Sequence, residues 1–186
     1  MPVKIRGSSG IDRIHPDVIE RKNLVTSTDL TTELSTVADK AYFSAYANSN
    51  QADIGSSSTD GGTICLINQV WENTGEFSIS SGRITINKTG KYHIIADMGT
   101  YASSETTSRS QSVGRIYYNG SMITGSLMWI YNREGNDSDE GHGNASASII
   151  DNITAGDIID IRGYRYSGGD TIGFRANSSR ITIMEI

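Results

Sequence analysis

The residues best equipped for chemistry gather in one run, Glu134-Gly135-Asn136-Asp137-Ser138-Asp139-Glu140-Gly141-His142-Gly143-Asn144. Asp137, Asp139 and Glu140 supply the hard carboxylate oxygens that Ca²⁺ takes, and glycines let a loop turn tightly around a cation. The full EF-hand spacing is missing, and a solvated acidic loop accounts for the same residues, which is the reading the pattern favours. Paired carboxylates among Asp137, Asp139, Glu140 and Asp170 would suit glycoside hydrolysis only at a set separation across a groove, and nothing in their spacing supplies one. His15, His93 and His142, the three histidines, lie far apart without i,i+4 or C-x-x-C companions. Cys65, the single cysteine, sits in the apolar run Thr63-Ile64-Cys65-Leu66-Ile67 and reads as a buried thiol with no catalytic partner. No G-x-S-x-G elbow, phosphate loop or zinc-protease helix occurs. The expectation is a protein that is not an enzyme and needs no cofactor, with calcium at the acidic loop as the one ion to consider.

A second polar group of contact residues is Tyr164, Arg165 and Tyr166, followed by Ser167-Gly168-Gly169-Asp170. Tyrosine and arginine beside a glycine-rich loop bring area and hydrogen bonding at small entropy cost, which suits sugar or protein contact. Tyr164 and Tyr166 also share strand parity, so packing between subunits or in the core is the favoured reading.

The elements that hold these residues read as strands. Ile84 and Ile86 alternate with polar neighbours, as do Tyr92, Ile94 and Ala96, the period of two expected when one face packs on a core. Lys88-Thr89-Gly90-Lys91 between them predicts a hairpin turn with Gly90 at positive φ. Val113 to Tyr118 runs into Asn119-Gly120, the strongest short hairpin signal, before Met122-Ile123 and Leu127 to Tyr131 resume. Arg180 to Ile186 alternates to the last residue and is expected in the middle of a sheet. Twenty glycines against two prolines, within 186 residues, suit one turn-rich all-β domain with an appendage.

Charge divides the chain. Residues 1 to 22 carry five basic and three acidic groups, a balance of +2, whereas residues 41 to 186 carry ten and fifteen, a balance of −5. No basic cluster suits nucleic acid, and no apolar run is long enough for membrane insertion. Without a recognisable secretion signal, the chain is expected to be made in a cytoplasm, and the Asn-x-Ser triplets at Asn119, Asn144 and Asn177 carry little meaning. Val3, Lys4, Ile5 and Arg6 alternate, Gly7-Ser8-Ser9-Gly10 breaks the chain, and Ile11, Arg13 and Ile14 add anchors and charge; such an arm can dock on another protein or remain a loose terminus. Leu30, Leu34, Val37 and Ala41 fall at spacings of four, three and four, the seam of a short helix that could gather partner chains or pack on its own domain. The division expected is 1–40 for arm and stem helix and 41–186 for the knob.

Within that knob, Val70-Trp71-Glu72-Asn73-Thr74-Gly75-Glu76-Phe77, Gly82-Arg83-Ile84-Thr85-Ile86, Thr89-Gly90-Lys91-Tyr92-His93-Ile94-Ile95-Ala96, Asn119-Gly120 and Ala155-Gly156-Asp157 together resemble a C1q/TNF-like jelly roll. In that resemblance Ala41 to Ala45 looks like the first strand, Phe77, Gly82, Gly90 and Tyr92 like core and turn positions, and Gly156-Asp157 like the turn before the penultimate strands. It implies an all-β jelly-roll β-sandwich that forms a homotrimer, preceded here by an extended arm and short helix. Lacking a collagen stalk and the aromatic end of secreted members, the chain looks like the versions found on bacteriophage particles. The implied role is a virion surface protein, a capsid decoration protein or short head fibre whose arm docks on the major capsid or another virion protein. The alternative is a tail-fibre tip or lectin-like protein that recognises a host surface glycan.

Overall fold

The computed structural model describes residues 40–56, 61–102, 109–133 and 141–186, and Lys40–Ile186 forms one unit. Among the described residues the elements are all strands: β1 (Tyr42–Tyr46), β2 (Thr63–Ile64), β3 (Gln69–Asn73), β4 (Phe77–Ser80), β5 (Arg83–Ile86), β6 (Gly90–Ala102) and β7 (Arg109–Tyr118). β8 (Ser121–Met122), β9 (Met128–Arg133), β10 (His142–Ile153), β11 (Ile158–Gly168), β12 (Ile172–Phe174) and β13 (Arg180–Glu185) complete the order.

They form two antiparallel sheets. The first runs β10-β6-β13-β1-β3, with β12 beside β6, and the second runs β4-β5-β11-β7, with β9 and β8 on the far side of β7 and β2 beside β11. The principal strands, β10-β6-β13-β1 in one sheet and β5-β11-β7-β9 in the other, are the eight-stranded, two-sheet arrangement of a jelly roll. β13 lies between β6 and β1, a central position.

Alternation decides which residues meet between the sheets. Ile84 and Ile86 of β5, Tyr92, Ile94, Ala96 and Met98 of β6, and Ile181 and Ile183 of β13 all point inward and are buried. Phe77 packs on Phe43 at 5.3 Å and on Tyr92 at 6.2 Å between ring centroids, so one end of the core is aromatic. The other end includes a buried polar cluster beside Phe174. There Thr100 and Ser112 donate to Asn132 Oδ1 at 3.1 and 3.3 Å, while Asn132 Nδ2 donates to the Gly141 carbonyl at 2.9 Å. A buried amide that satisfies both neighbours and a loop root ties β6, β7, β9 and β10 together where β9 leads toward the acidic run.

Two turns fall as expected. Asn119 and Gly120 adopt φ of 48° and 80°, and Tyr118 pairs with Ser121, a two-residue hairpin with both central residues left-handed. Gly156, at φ 96°, sits in a turn in which Asp157 N donates to the Thr154 carbonyl at 3.0 Å.

The Lys88–Lys91 segment corrects its expectation. β5 pairs with β4 and β11, whereas β6 pairs with β10, β12 and β13, so the segment crosses between sheets instead of closing a hairpin. Gly90 is not among the positive-φ residues; it opens β6, and a Cβ there would lie 3.1 Å from Glu185 Oε1 and 3.2 Å from the Tyr92 ring. Close packing, not turn geometry, explains this glycine.

Candidate functional site

Each sheet carries a β-bulge that turns one aromatic residue outward. In β3, Glu72 pairs with Ser44 and Val70 with Ala45, so Trp71 is the extra residue between them. A bulge frees one side chain from the alternation and re-aims it. Val70 keeps its place against the core, and Trp71 is turned out to 75 % exposure on the edge strand. Its ring meets Tyr46 edge-on, with centroids 6.3 Å apart and planes at 75°.

Beside this pair lies a cleft of about 270 Å³ lined by Ser44, Tyr46, Gln69, Trp71, Asn177 and Arg180, together with Ala45 and Val70. Its floor follows from strand register. Gln69, Tyr46, Arg180, Asp97 and Ser146 form one lateral row across β3, β1, β13, β6 and β10. Arg180 Nε donates to Asp97 Oδ2, and Ser146 Oγ donates to Asp97 Oδ1. That hydrogen bond and the Asp97 charge raise the already high pKa of Arg180, so the guanidinium is both held and permanently cationic. Asn177 closes the cleft from the loop before β13 in a left-handed conformation, φ 60°, that asparagine tolerates.

The second bulge is in β11. Arg165 pairs with Ser112 and Ser167 with Gln111, leaving Tyr166 as the extra residue, 57 % exposed. Its ring lies 4.7 Å from Trp129 at 56°. Leu127, Trp129 and Tyr131 point the same way along and just before β9, and each is about half exposed, at 48 %, 47 % and 50 %. This is an apolar platform without a cleft.

The expected trio of Tyr164, Arg165 and Tyr166 does not form one patch. Tyr164 stands partly buried opposite Val113 on the outer face, whereas Arg165 points toward the end of the sandwich and donates from Nη1 to the Asp170 carbonyl at 2.6 Å. Tyr166 is outward but not in the core, because the bulge lifts it out of the ladder. Asp170 is fully buried, so it is not a carboxylate open to a groove. Ala41 is buried in the sandwich core and its N–H donates to Glu185 Oε2 at 2.9 Å; it belongs to the knob and not to a helical stem seam.

Val3, Lys4, Ile5, Arg6, Ile11, Arg13 and Ile14 lie outside the described residues, as do Leu30, Leu34 and Val37 and the acidic Asp137, Asp139 and Glu140. Among the described residues no three His, Cys, Asp or Glu side chains come together as metal ligands do. His93 is a hydrogen-bonded strand residue, with Nε2 2.6 Å from Ser148 Oγ. Burial pushes the Cys65 thiol up to about 12, against a smaller lowering by Ser179, so it is an unreactive core group.

Trp71 and its cleft had no separate signal as a site. An aromatic residue in the polar strand Gln69-Val70-Trp71-Glu72-Asn73 was the one available pointer, because Val70, Trp71 and Glu72 break strict alternation.

The strand order defines the class, a jelly-roll β-sandwich. No protein-family model matches the sequence, and no curated protein does. Among solved structures, the globular domain of zebrafish complement 1qA is similar at a TM-score of 0.49 and 15 % identity, over 80 % of this chain and 98 % of that one. The Eiger TNF of S. frugiperda is similar at 0.49 and 11 % identity, over 79 % and 91 %. Murine APRIL is similar at 0.48 and 10 % identity, over 80 % and 100 %.

Proposed function

We propose that this chain is a homotrimeric structural protein of a bacteriophage particle, a capsid decoration protein or short head fibre whose jelly-roll knob projects from the virion surface. One observation carries the oligomeric part. Among the described residues two different surfaces carry exposed apolar side chains: the Leu127–Trp129–Tyr131 platform with Tyr166, and, on the outer face of the other sheet, Ile150 in a lateral row with the half-buried His93, Met184 and Tyr42. Two unlike surfaces that join head to tail make a ring when the rotation between copies closes and a filament when it does not, and three copies make the smallest ring beyond a pair.

The particle role rests on the polarised charge, +2 over residues 1 to 22 and −5 from residue 41 onward, and on the bacteriophage resemblance. The arm docks on a shell protein, residues near 28 to 40 gather the chains, and threefold binding adds avidity. Light scattering on a sizing column tests the first part, with a mass near three chains expected and a stable monomer refuting the ring. Deleting residues 1–22 should abolish binding to particles while the knob stays folded; binding retained by that truncation refutes the docking role.

A second reading, a tail-fibre tip or lectin-like receptor binder, is favoured by the Trp71 cleft. Binding of the isolated protein to host cells separates it from the first.

A further inference from the structure

We propose that the cleft between β1, β3 and β13 is a saccharide subsite that takes one pyranose residue bearing a carboxylate. The inference rests on the cleft alone and holds whether the knob decorates a shell or tips a fibre.

Size sets the first limit. About 270 Å³ is smaller than the ~300–1,000 Å³ of pockets for drug-sized ligands, and it suits a single sugar ring. Shape sets the second. Trp71, 75 % exposed, lines the cleft, and its ring stands at 75° to that of Tyr46, so the pair makes a corner and not a stack. The negative π-face of an aromatic ring attracts the polarised C–H groups on the flat side of a pyranose. Gln69 and Asn177 add amides that both donate and accept, which matches hydroxyls, and Ser44 adds a hydroxyl of its own.

Charge then selects among sugars. Arg180 is the only charged residue among those lining the cleft. Its Nε is committed to Asp97, which fixes the plane of the fork and leaves the two terminal nitrogens for a ligand. A guanidinium held in one plane recognises a carboxylate through paired, charge-assisted hydrogen bonds. The bulge that turns Trp71 outward and the left-handed Asn177 of the loop before β13 frame the same opening, and bulges at sheet edges serve to re-aim a side chain.

The test uses the full chain labelled with ¹⁵N-tryptophan, whose two indole N–H signals are assigned through Trp129→Phe. Titration with methyl β-D-glucuronide should shift the Trp71 signal saturably and leave Trp129 in place. Methyl β-D-glucoside should bind roughly tenfold more weakly, and Arg180→Gln should bring the glucuronide to the level of the glucoside. Gln69→Ala, which leaves the Arg180–Asp97 pair intact, should weaken both glycosides alike. No saturable shift with either glycoside overturns the proposal, and so does equal affinity for the two. If the Trp71 signal instead ignores both and moves on diluting the protein, a second copy covers the cleft and the proposal falls while the ring stands.

Discussion

Both sheets carry a strand with one residue too many, and in both the surplus residue is an exposed aromatic. Trp71 interrupts β3 and Tyr166 interrupts β11. Removing either on paper leaves faultless alternation: Val70 in and Glu72 out, or Arg165 in and Ser167 out. The insertions differ in what they meet. Tyr166 closes onto Trp129 at 4.7 Å and completes a continuous apolar platform, whereas Trp71 meets Tyr46 edge-on at 6.3 Å and leaves a cleft with an arginine beside it. One local device thus yields a surface for burial against protein and a recess for a small polar ligand, according to the neighbours that strand register supplies.

The largest effect that would break this contrast is on assembly. Trp129→Ala combined with Tyr166→Ala should reduce the native mass from the three chains proposed above to one, since central aromatic anchors are each worth about 2 kcal/mol or more at an interface. Trp71→Ala should leave the mass unchanged. Dissociation by Trp71→Ala as well would make the two surfaces equivalent and end the distinction. A somewhat smaller effect concerns the footing of the platform. Asn132→Ala removes the acceptor of Thr100 and Ser112 and the donor to Gly141, so stability should drop by roughly 1–3 kcal/mol in a denaturant titration. The indole signal of Trp129 should broaden or move in that variant, while that of Trp71 should not.

The sequence shows the common part of the two regions better than their difference. Alternation in Arg83–Ile86, Tyr92–Ala96 and Arg180–Glu185 identifies inward faces correctly, and Asn119-Gly120 marks its hairpin, because these signals depend on neighbours within a few residues. Pairing partners do not. Period two says which face of β5 and β6 is buried, yet it is silent on whether the strands share a sheet, which is how a sheet-to-sheet crossing at Lys88–Lys91 reads as a hairpin. A bulge is harder still. It leaves only a one-residue slip of phase, and in polar strands such as Gln69–Asn73 that slip is indistinguishable from a strand end. Asn132 and Thr100 are misleading for the opposite reason, since buried polar residues wear the pattern of surface positions. The cleft combines such features, so its residues are scattered over positions 44 to 180 with no local motif.

Shortening the strands sharpens the contrast with a smaller effect. Deleting Trp71 should cost less than about 1 kcal/mol, because the flanking pairs Ser44–Glu72 and Ala45–Val70 can become consecutive and little buried area is lost. Deleting Tyr166 should cost somewhat more, because the ring contact it loses with Trp129, at 4.7 Å, is closer than the 6.3 Å edge contact between Trp71 and Tyr46. Thermal unfolding of the two variants compares them directly, and a larger loss for the Trp71 deletion would show that its bulge is structural.

The smallest effects separate the sheets by pH. Burial works against ionisation of Glu185, but the hydrogen bond from Lys88, the Ala41 N–H and the charges of Lys88 and Lys40 outweigh it and lower its pKa. In the second sheet, hydrogen bonds from Tyr118 and Asn119 lower that of Asp157 against a smaller opposing effect of burial. Both carboxylates therefore add stability that is complete above the ordinary carboxylate range, about pH 4, and is lost as pH falls through the depressed folded value. The alkaline side differs. Tyr118 is pushed up to about 12 by its hydrogen bond to Asp157, so its contribution is complete below the ordinary tyrosine value, about pH 10, and fades as pH rises through the folded one. Tyr92 also reaches about 12, but chiefly through burial, with Glu185 second. Glu185→Gln should flatten the acid limb of a melting-temperature profile and keep most of the alkaline limb. Asp157→Asn should flatten the acid limb and shorten the alkaline one too, because it removes the partner that holds the Tyr118 proton. Profiles that coincide for the two variants would mean that the turn contact between Tyr118 and Asp157 does not couple to folding of the sheet that bears the Tyr166 platform.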